Sequence, residues 1–465
     1  MTYKIKIALS AAILLAFPLT SLADTTTNPI TTPAPANSLP TAAEPVLITQ
    51  IKQAKQQLES VKLNYALTPH YKTTVQARTK TKKQVLTNYT LDIKDIALAI
   101  LDPATGQIKI TTAMQRGSDF EFPDKSMVIK KVTFNGVNSR FDVVSPDNYL
   151  VLALKYLITP TESGSKAQIE NALYPVIYVP YTPELATPEV VAYGQTYMNG
   201  VIQKVSAALA NVPSQSIPGK TIVQAIPPSI IKALAYAEHT SSANVQSLGS
   251  LNPMNVLLAG NGPDTYKYSV SNDGYFSRGI AQFIPSTYAS LVTRHKDLGF
   301  IPDFKAGMED HVNSVKAMYV LLDDYAGSIR QKAPQNFMES RVFEYGAAAY
   351  NGGVTRIARA VANYGDNWSD DRSGTIQSTQ AQLNSVNTQV KQLNAKIKAT
   401  KDKKVKATLT SQVATLKTRA STLQSQVDTL TAATLRNETM NYLRKIYSVI
   451  HLLNAEPAGT QLAMN

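Results

Sequence analysis

The sequence predicts a mainly α-helical protein that also has an N-terminal α+β domain and an antiparallel coiled-coil hairpin. Three observations support this prediction. Short apolar runs before residue 180 alternate as in β-strands, whereas apolar residues after 188 recur every three or four positions, as in helices. Residues 375 to 430 keep a three–four alternation that is typical of a coiled-coil seam. With 465 residues, 44% of them hydrophobic, the chain can bury the cores of several domains.

Composition and charge limit the classes of function. The chain has no cysteine, which excludes disulfides, thiolate metal sites and a cysteine nucleophile. Its 46 lysines and arginines outnumber 33 aspartates and glutamates, which gives a net charge of +13. This surplus suits an acidic polymer as partner, such as nucleic acid, anionic lipid or cell-wall glycan. The five histidines are scattered without the H-E-x-x-H pairing of zinc hydrolases, so no metal site is expected.

The first residues predict export. Lys4 and Lys6 precede an apolar run from Ile7 to Phe17, and small residues stand before a cleavage position after Ala23. This is the pattern of a secretory signal peptide, residues 1–23. The alternative, a membrane anchor, is disfavoured because the apolar run is too short to span a bilayer comfortably. We therefore expect a periplasmic or secreted protein of the bacterial cell envelope, with no transmembrane anchor after cleavage and with no nucleic acid as partner.

The N-terminal half reads as a linker followed by an α+β domain. Residues 24–44 are rich in Thr, Pro and Ala, and such a segment cannot build a core. Within the predicted accessory domain, residues 45–225, the pattern changes from helix to strand and back to helix. The expected elements are a helix from Val46 to Leu63, a β-hairpin around the turn Asp102–Gly106, strands at Met127–Phe134 and Pro175–Pro180, and a helix from Pro188 to Ala210. No motif in this domain indicates its chemistry.

Residues 373–430 predict a helical hairpin. Two apolar seams flank the polar stretch from Ala399 to Lys404, so an antiparallel pair with arms of roughly 35 Å is expected. A coiled coil between two copies of the chain is the alternative. Lysines cluster at the tip, which is either a solvated turn or a contact point for an anionic wall polymer or membrane. Residues 431–455 follow as a closing helix, and residues 456–465 form a C-terminal tail.

A candidate acid lies after an apolar helix. Ser229 is the predicted N-cap of this helix, and Glu238 stands at its end, just before a polar stretch. A partly desolvated carboxyl group has a raised pKa, because burial disfavours its charged form. A carboxylic acid that keeps its proton near neutral pH can protonate a leaving oxygen.

Three further motifs follow in order. The string Ser277–Thr287 contains Gln282, the string Phe343–Gly353 contains Tyr350 and Asn351, and Asn437–Leu443 contains Glu438 and Tyr442. Together with Glu238, these segments resemble the soluble-lytic-transglycosylase (SLT) domain of family 1, in the lysozyme-like superfamily. The resemblance covers residues 226–372 and 431–455. It implies a lysozyme-like α-helical catalytic domain into which the hairpin is inserted.

The resemblance also implies an activity and a role for each motif residue. A peptidoglycan lytic transglycosylase cleaves the MurNAc-β-1,4-GlcNAc bond and forms a 1,6-anhydro-muramic acid product, with peptidoglycan glycan strands as partner and no cofactor. Glu238 would be the only acid and base, which explains why one carboxylate suffices where most glycosidases need two. The implied substrate-binding residues are Ser271 for the acyl-amino group, Gln282 for sugar or for orienting Glu238, Tyr350 for a sugar face, Asn351 for its polar edge, and Tyr442 and Glu438 from the last helix. Simple packing of the two tyrosines and backbone capping by Asn351 or Glu438 stay open.

The chain departs from the family pattern at three places. Ala281 stands directly before Gln282, where the family has methionine. His239 follows the acid where the family usually has Ser, and it either alters the environment of Glu238 or points to solvent. An additional segment, Val245 to Lys267, lengthens the spacing between Glu238 and Gln282. Its Asn-Pro and Gly-Pro pairs predict a loop that walls the groove.

Two other functions compete with lytic transglycosylation. A hydrolytic muramidase of the same fold needs a second carboxylate, for which Asp264, Asp273 and Glu344 are the candidates. A non-catalytic peptidoglycan-binding scaffold of an envelope or secretion machine is the other alternative. It would contact an envelope protein through the hairpin or the N-terminal domain.

Overall fold

The structure, a computed structural model, describes residues 44–75, 82–159, 163–241, 245, 248–269, 271 and 275–455. The predicted signal peptide, nearly all of the linker and the C-terminal tail lie outside the described residues. The described chain is mainly α-helical, as predicted, and contains antiparallel sheet as well. Its helices are α1 Val46–Glu59, α2 Lys166–Ala172, α3 Pro188–Leu209, α4 Ile222–Ala225, α5 Pro228–Glu238, α6 Asn252–Asn261, α7 Pro285–Arg294, α8 Phe304–Glu309, α9 His311–Lys332, α10 Val342–Gly352, α11 Val354–Tyr364, α12 Ser373–Ala399, α13 Lys403–Ala433 and α14 Asn437–Ala455.

The strands form one large and one small antiparallel sheet. They are β1 Tyr65–Val75, β2 Lys82–Leu101, β3 Ile108–Arg116, β4 Asp119–Glu121, β5 Val128–Thr133, β6 Arg140–Ser145, β7 Leu150–Ile158, β8 Ser163–Gly164 and β9 Tyr174–Tyr178. In the described residues the large sheet has the order β4-β3-β2-β7-β9, and both β1 and β8 also pair with β2. Strands β5 and β6 pair with each other.

The central strand β2 shows why the large sheet is covered on both faces. Ile96, Leu98 and Ile100 pack into the core that continues into helices such as α3 and α5. The alternate residues of β2, among them Ala97 and Ala99, pack on the opposite face against α1. Since side chains along a strand point alternately to the two faces, this run is apolar throughout rather than alternating.

Most of the predicted elements of the N-terminal half are confirmed. The hairpin between β2 and β3 pairs Leu101 with Ile108, and Gly106 adopts a positive φ of 71° in its turn. Strands β5 and β9 and helix α3 lie where the pattern indicates. Helix α1 ends at Glu59, four residues before the predicted end.

Helix α9 is the buried centre of the C-terminal half. Val315, Met318 and Leu322 are all fully buried on it. Helices α3, α5, α10 and α11 pack against α9, and α14 packs against both α5 and α10. Gly346 of α10 lets the two backbones approach, because a Cβ there would lie 3.0 Å from the carbonyl oxygen of Leu322. This packing brings the end of α5, the end of α10 and the start of α14 together.

Helices α12 and α13 fold back on each other through the short connection 400–402. Leu383 and Val386 of α12 pack with Leu423 of α13. At 1.5 Å per residue the two helices are about 40 and 46 Å long, somewhat longer than predicted. Arg356 of α11 donates to the carbonyl oxygens of Thr431 and Thr434, which ties the end of α13 to the helical core.

Two local predictions are wrong. Ser229 is not an N-cap, because α5 begins one residue earlier at Pro228 and Pro227 occupies the cap position. The segment from Val245 to Lys267 is not a loop throughout, because it contains α6, which packs on α3 and buries Met254 and Leu258. None of the helices in the described part of the chain combines the length and the hydropathy of a membrane span.

Candidate active site

Glu238 is the last residue of α5 and is partly buried. Burial raises the pKa of its carboxyl group to about 7, while the hydroxyl of Tyr442 and the charge of Lys445 act in the opposite direction. The negative end of the α5 dipole also disfavours a carboxylate at this position. Glu238 is therefore balanced between its protonated and ionised forms near neutral pH.

Helix α14 presents two side chains to Glu238. The hydroxyl of Tyr442 donates a hydrogen bond to Oε1 of Glu238. Lys445, one helical turn further on, has its Nζ 5.3 Å from the centre of the Tyr442 ring and donates to the carbonyl oxygen of Thr240 over 3.3 Å. The α14 helix thus closes over the end of α5 through one hydrogen bond to the acid and one to the backbone that follows it.

Tyr350 of α10 also lies near Glu238. Its hydroxyl donates to the carbonyl oxygen of Ala281, and its ring meets the ring of Phe283 edge-on at 5.7 Å. Burial raises the pKa of the Tyr350 hydroxyl well above its ordinary value, and the nearby Glu238 adds to this shift. Tyr350 is therefore a neutral side chain that joins α10 to the loop 279–282.

His239 does not point to solvent. Its ring stacks on the ring of Tyr266 with centroids 3.5 Å apart and an interplanar angle of 10°. Its Nε2 lies 3.1 Å from the carbonyl oxygen of Ile280, so this nitrogen carries a proton and donates it. Burial lowers the pKa of His239 to about 4, so the imidazole is neutral near pH 7. His239 thus clamps the loop 279–282 onto the end of α5 without adding a charge beside the acid.

Gln282 and Ser271 form hydrogen bonds with the loop 279–282 and with the residues before it. Gln282 has a positive φ of 50°, and its amide donates to the carbonyl oxygen of Gly279 over 2.8 Å and accepts from the hydroxyl of Ser277 over 3.0 Å. The hydroxyl of Ser271 accepts from the backbone N–H of Ser277 over 2.9 Å. Both predicted substrate-binding residues therefore hold the loop that Tyr350 and His239 contact.

The loop 279–282 requires glycine at position 279. The φ of Gly279 is +72°, and a Cβ at this position would lie 2.2 Å from the carbonyl oxygen of Met308. No L-amino acid with a side chain fits there, because both the backbone conformation and the space are unfavourable. The loop 279–282 is consequently packed directly against the backbone of α8.

Asn351 and Glu438 lie at a cavity beside the acid. The cavity has a volume of about 290 Å³ and is lined by Asn351, Glu438, Asn441, Tyr442 and Lys445. Asn351 accepts a hydrogen bond from the hydroxyl of Thr439 over 3.0 Å, and it is exposed, as is Glu438. Gly352 permits this contact, since a Cβ there would lie 2.6 Å from the hydroxyl oxygen of Thr439. A polar cavity with two amides, one acid and one base suits a hydroxyl-rich ligand.

The candidates for a second carboxylate lie in other surroundings. Asp264 forms an ion pair with Lys267 at 3.0 Å. Glu344 lies 3.9 Å from Arg341 and shares a hydrogen bond with the hydroxyl of Tyr447. Asp273 lies outside the described residues. Within the described chain, no three His, Cys, Asp or Glu side chains are grouped in a way that could hold a metal ion.

The structure brings six of the seven predicted site residues into one connected region. Glu238 and Tyr442 are in direct contact, and Asn351 and Glu438 line the same cavity as Tyr442. Tyr350 lies near Glu238 and bonds to Ala281, the residue before Gln282. Ser271 is linked to this region through Ser277, whose hydroxyl donates to Gln282.

Sequence reasoning missed Lys445, although its position three residues after Tyr442 on a helix indicates the same face. It also missed Tyr266, for which the sequence offers no signal.

No protein-family model matches the chain, and comparisons with curated proteins and solved structures find no match either.

Proposed function

We propose that the protein is an exported peptidoglycan lytic transglycosylase that cleaves the MurNAc-β-1,4-GlcNAc bond. The observation that carries the proposal is the environment of Glu238, a carboxyl group with a pKa raised to about 7 and hydrogen-bonded by Tyr442 beside a polar cavity. The order of the four motifs supports it as well. We also propose that the helical domain is lysozyme-like and that α12 and α13 form an inserted coiled coil.

In the first step Glu238 acts as the acid. The proton on its carboxyl group moves to the glycosidic oxygen, the bond from C1 of muramic acid to this oxygen breaks, and the electron pair leaves with the GlcNAc side. A pKa near the working pH suits this transfer, because the group is protonated often enough and still gives up its proton. Glu238 is then a carboxylate that accepts the hydrogen bond of Tyr442.

In the second step Glu238 acts as the base. It removes the proton from the C6 hydroxyl of the same muramic acid, and this oxygen attacks C1 to form the 1,6-anhydro ring. Glu238 regains the proton that it gave, so no water is consumed and no second carboxylate is needed. The separate surroundings of Asp264 and Glu344 agree with this single-residue mechanism.

Product analysis tests this proposal. Purified sacculi are digested with wild-type protein and with Glu238→Gln, and the released fragments are weighed by mass spectrometry. We expect wild type to release fragments that lack one water relative to hydrolysis products, and Glu238→Gln to release none. Glu344→Gln is the matched control, because it removes another partly buried, tyrosine-bonded carboxylate and is expected to keep the activity.

Each other result identifies an alternative. Fragments that carry the additional water would show a hydrolytic muramidase. Binding to sacculi without any release by wild type would favour a scaffold of an envelope or secretion machine, with a partner at the α12–α13 pair or the sheet. Release by Glu238→Gln at the wild-type rate would contradict the assignment of the acid.

A further inference from the structure

Lys445 lies where a charge acts on the acid. It is partly buried on α14, three residues after Tyr442 and on the same face of the helix. It lines the 290 Å³ cavity together with Asn351 and Glu438. Its Nζ donates to the carbonyl oxygen of Thr240, two residues after Glu238. The ammonium group is thereby held at the end of α5 rather than free to extend into solvent. A held charge in a partly desolvated place acts more strongly than a mobile surface charge.

The other groups that face Glu238 are neutral near pH 7. Tyr442 from α14 and Tyr350 from α10 both have a pKa raised well above the ordinary value by burial. Tyr325 from α9 interacts with Tyr350, and burial raises the pKa of the Tyr325 hydroxyl too. His239, which directly follows Glu238, is neutral, because burial lowers its pKa to about 4. Among the described groups, Lys445 therefore carries the positive charge that acts on Glu238.

Lys445 also has a contact pattern that could be purely structural. Lys316 of α9 has the same pattern, since its Nζ donates to the carbonyl oxygen of Leu298 over 2.7 Å and lies 4.7 Å from the centre of the Phe300 ring. Both lysines are partly buried, and burial lowers the pKa of both. The difference is that Glu238 opposes this shift at Lys445, whereas Asp310 opposes it at Lys316.

We propose that Lys445 is a positioning residue that stabilises the ionised form of Glu238 between the two proton transfers. This inference rests on the proposed function. After Glu238 has given its proton to the glycosidic oxygen, the carboxylate accepts the hydrogen bond of Tyr442 and interacts with the charge of the nearby Lys445 ammonium group. Lys445 keeps its own proton throughout, so the proton balance of the reaction is unchanged. Its charge lets a half-buried acid release a proton that burial alone would retain.

A direct titration of Glu238 tests the role of Lys445. Protein with ¹³C-labelled glutamate side chains is titrated by NMR, and the resonance that is missing in Glu238→Gln identifies the acid. Lys445→Gln removes the charge but keeps an amide that can donate to the carbonyl of Thr240. We expect this variant to raise the pKa of Glu238 by about one unit, and Lys445→Arg to leave it near the wild-type value. Lys445→Met replaces the Gln variant if the latter does not fold.

The same variants are compared in sacculus digestion at pH 6. We expect cleavage by Lys445→Gln to be about threefold to tenfold slower than by wild type, and Lys445→Arg to restore most of the rate. Lys316→Met is the matched control, which lowers the melting temperature and leaves both the titration and the rate unchanged.

The outcomes separate the two proposals. If Lys445→Gln lowers the melting temperature but leaves the titration of Glu238 unmoved, the role of Lys445 is structural and the inference is wrong, while cleavage by wild type still supports the proposed function. If wild type releases no anhydro product, the proposed function is wrong. In that case the titration still decides whether Lys445 controls the ionisation of Glu238.

Discussion

Replacing Tyr442 with Phe tests how the acid is tuned. The substitution removes the hydroxyl that donates to Oε1 of Glu238 and leaves the ring packed between α14 and α5. A hydrogen bond to a charged group contributes about 1.5–3 kcal/mol, and about 1.4 kcal/mol corresponds to one pKa unit. Because this hydrogen bond stabilises the ionised form, its loss should raise the pKa of Glu238 from about 7 by roughly one to two units.

The assay is the pH dependence of kcat/KM for release of anhydro fragments from sacculi. This parameter reports the pKa of the free enzyme, so the alkaline limb marks the loss of the proton from Glu238. We expect the limb to lie near pH 7 in wild type and to move to higher pH in Tyr442→Phe. The rate at low pH should fall, since a weaker acid donates its proton less readily.

A second tyrosine on the same helix provides the control. Tyr447 shares a hydrogen bond with Glu344, and its ring is exposed. Tyr447→Phe removes an equivalent tyrosine–glutamate hydrogen bond and should leave the alkaline limb in place. An alkaline limb that stays unmoved in Tyr442→Phe, or that moves to lower pH, would refute the role assigned to this hydrogen bond.

Three further predictions concern stability. Folding raises the pKa of Glu238 from 4.5 to about 7, so the free energy of unfolding depends on pH. The stability that this pKa difference contributes is fully present below pH 4.5 and is lost as the pH rises to 7. Thermal melts should therefore show that Glu238→Gln gains about 2–3 kcal/mol relative to wild type between these pH values, and a constant difference would contradict the raised pKa. His239→Ala loses the stack on Tyr266 and the hydrogen bond to Ile280, and urea unfolding should show a loss of about 2–4 kcal/mol. His239→Phe keeps the stack and should lose less; equal losses would show that the hydrogen bond alone matters. Gly279→Ala should cost about 3 kcal/mol or more, because its Cβ meets the Met308 carbonyl, whereas Gly299→Ala, with φ +59° and open space, should cost about 1 kcal/mol. Equal costs for the two glycines would show that only the backbone conformation matters.

The position of the acid was predictable from local pattern alone. Apolar spacing places Glu238 at the end of a buried helix, and the same spacing places Tyr442 on the buried face of α14. Desolvation then follows from the position, because a carboxyl group at the end of a buried helix has few water neighbours. The prediction of Ser229 as the N-cap is wrong, because Pro228 occupies the first helical position and starts the helix with its fixed φ.

The surroundings of the acid depend on contacts between distant parts of the chain. His239 meets Tyr266 across a segment whose Asn-Pro and Gly-Pro pairs indicate a loop, yet α6 forms there because Met254 and Leu258 are buried against other helices. Propensity is a weak signal beside such packing. The positive φ of Gln282 likewise follows from the hydrogen bonds of its loop, which no spacing rule contains.

Digestion in H₂¹⁸O tests the central claim most directly, because it follows the oxygen atom that closes the reaction. If Glu238 gives one proton and takes back another from the C6 hydroxyl, wild-type digests should contain anhydro fragments that carry no heavy oxygen. Heavy oxygen at the reducing end of every released fragment would show that water attacks C1, and the single-acid mechanism would then be wrong.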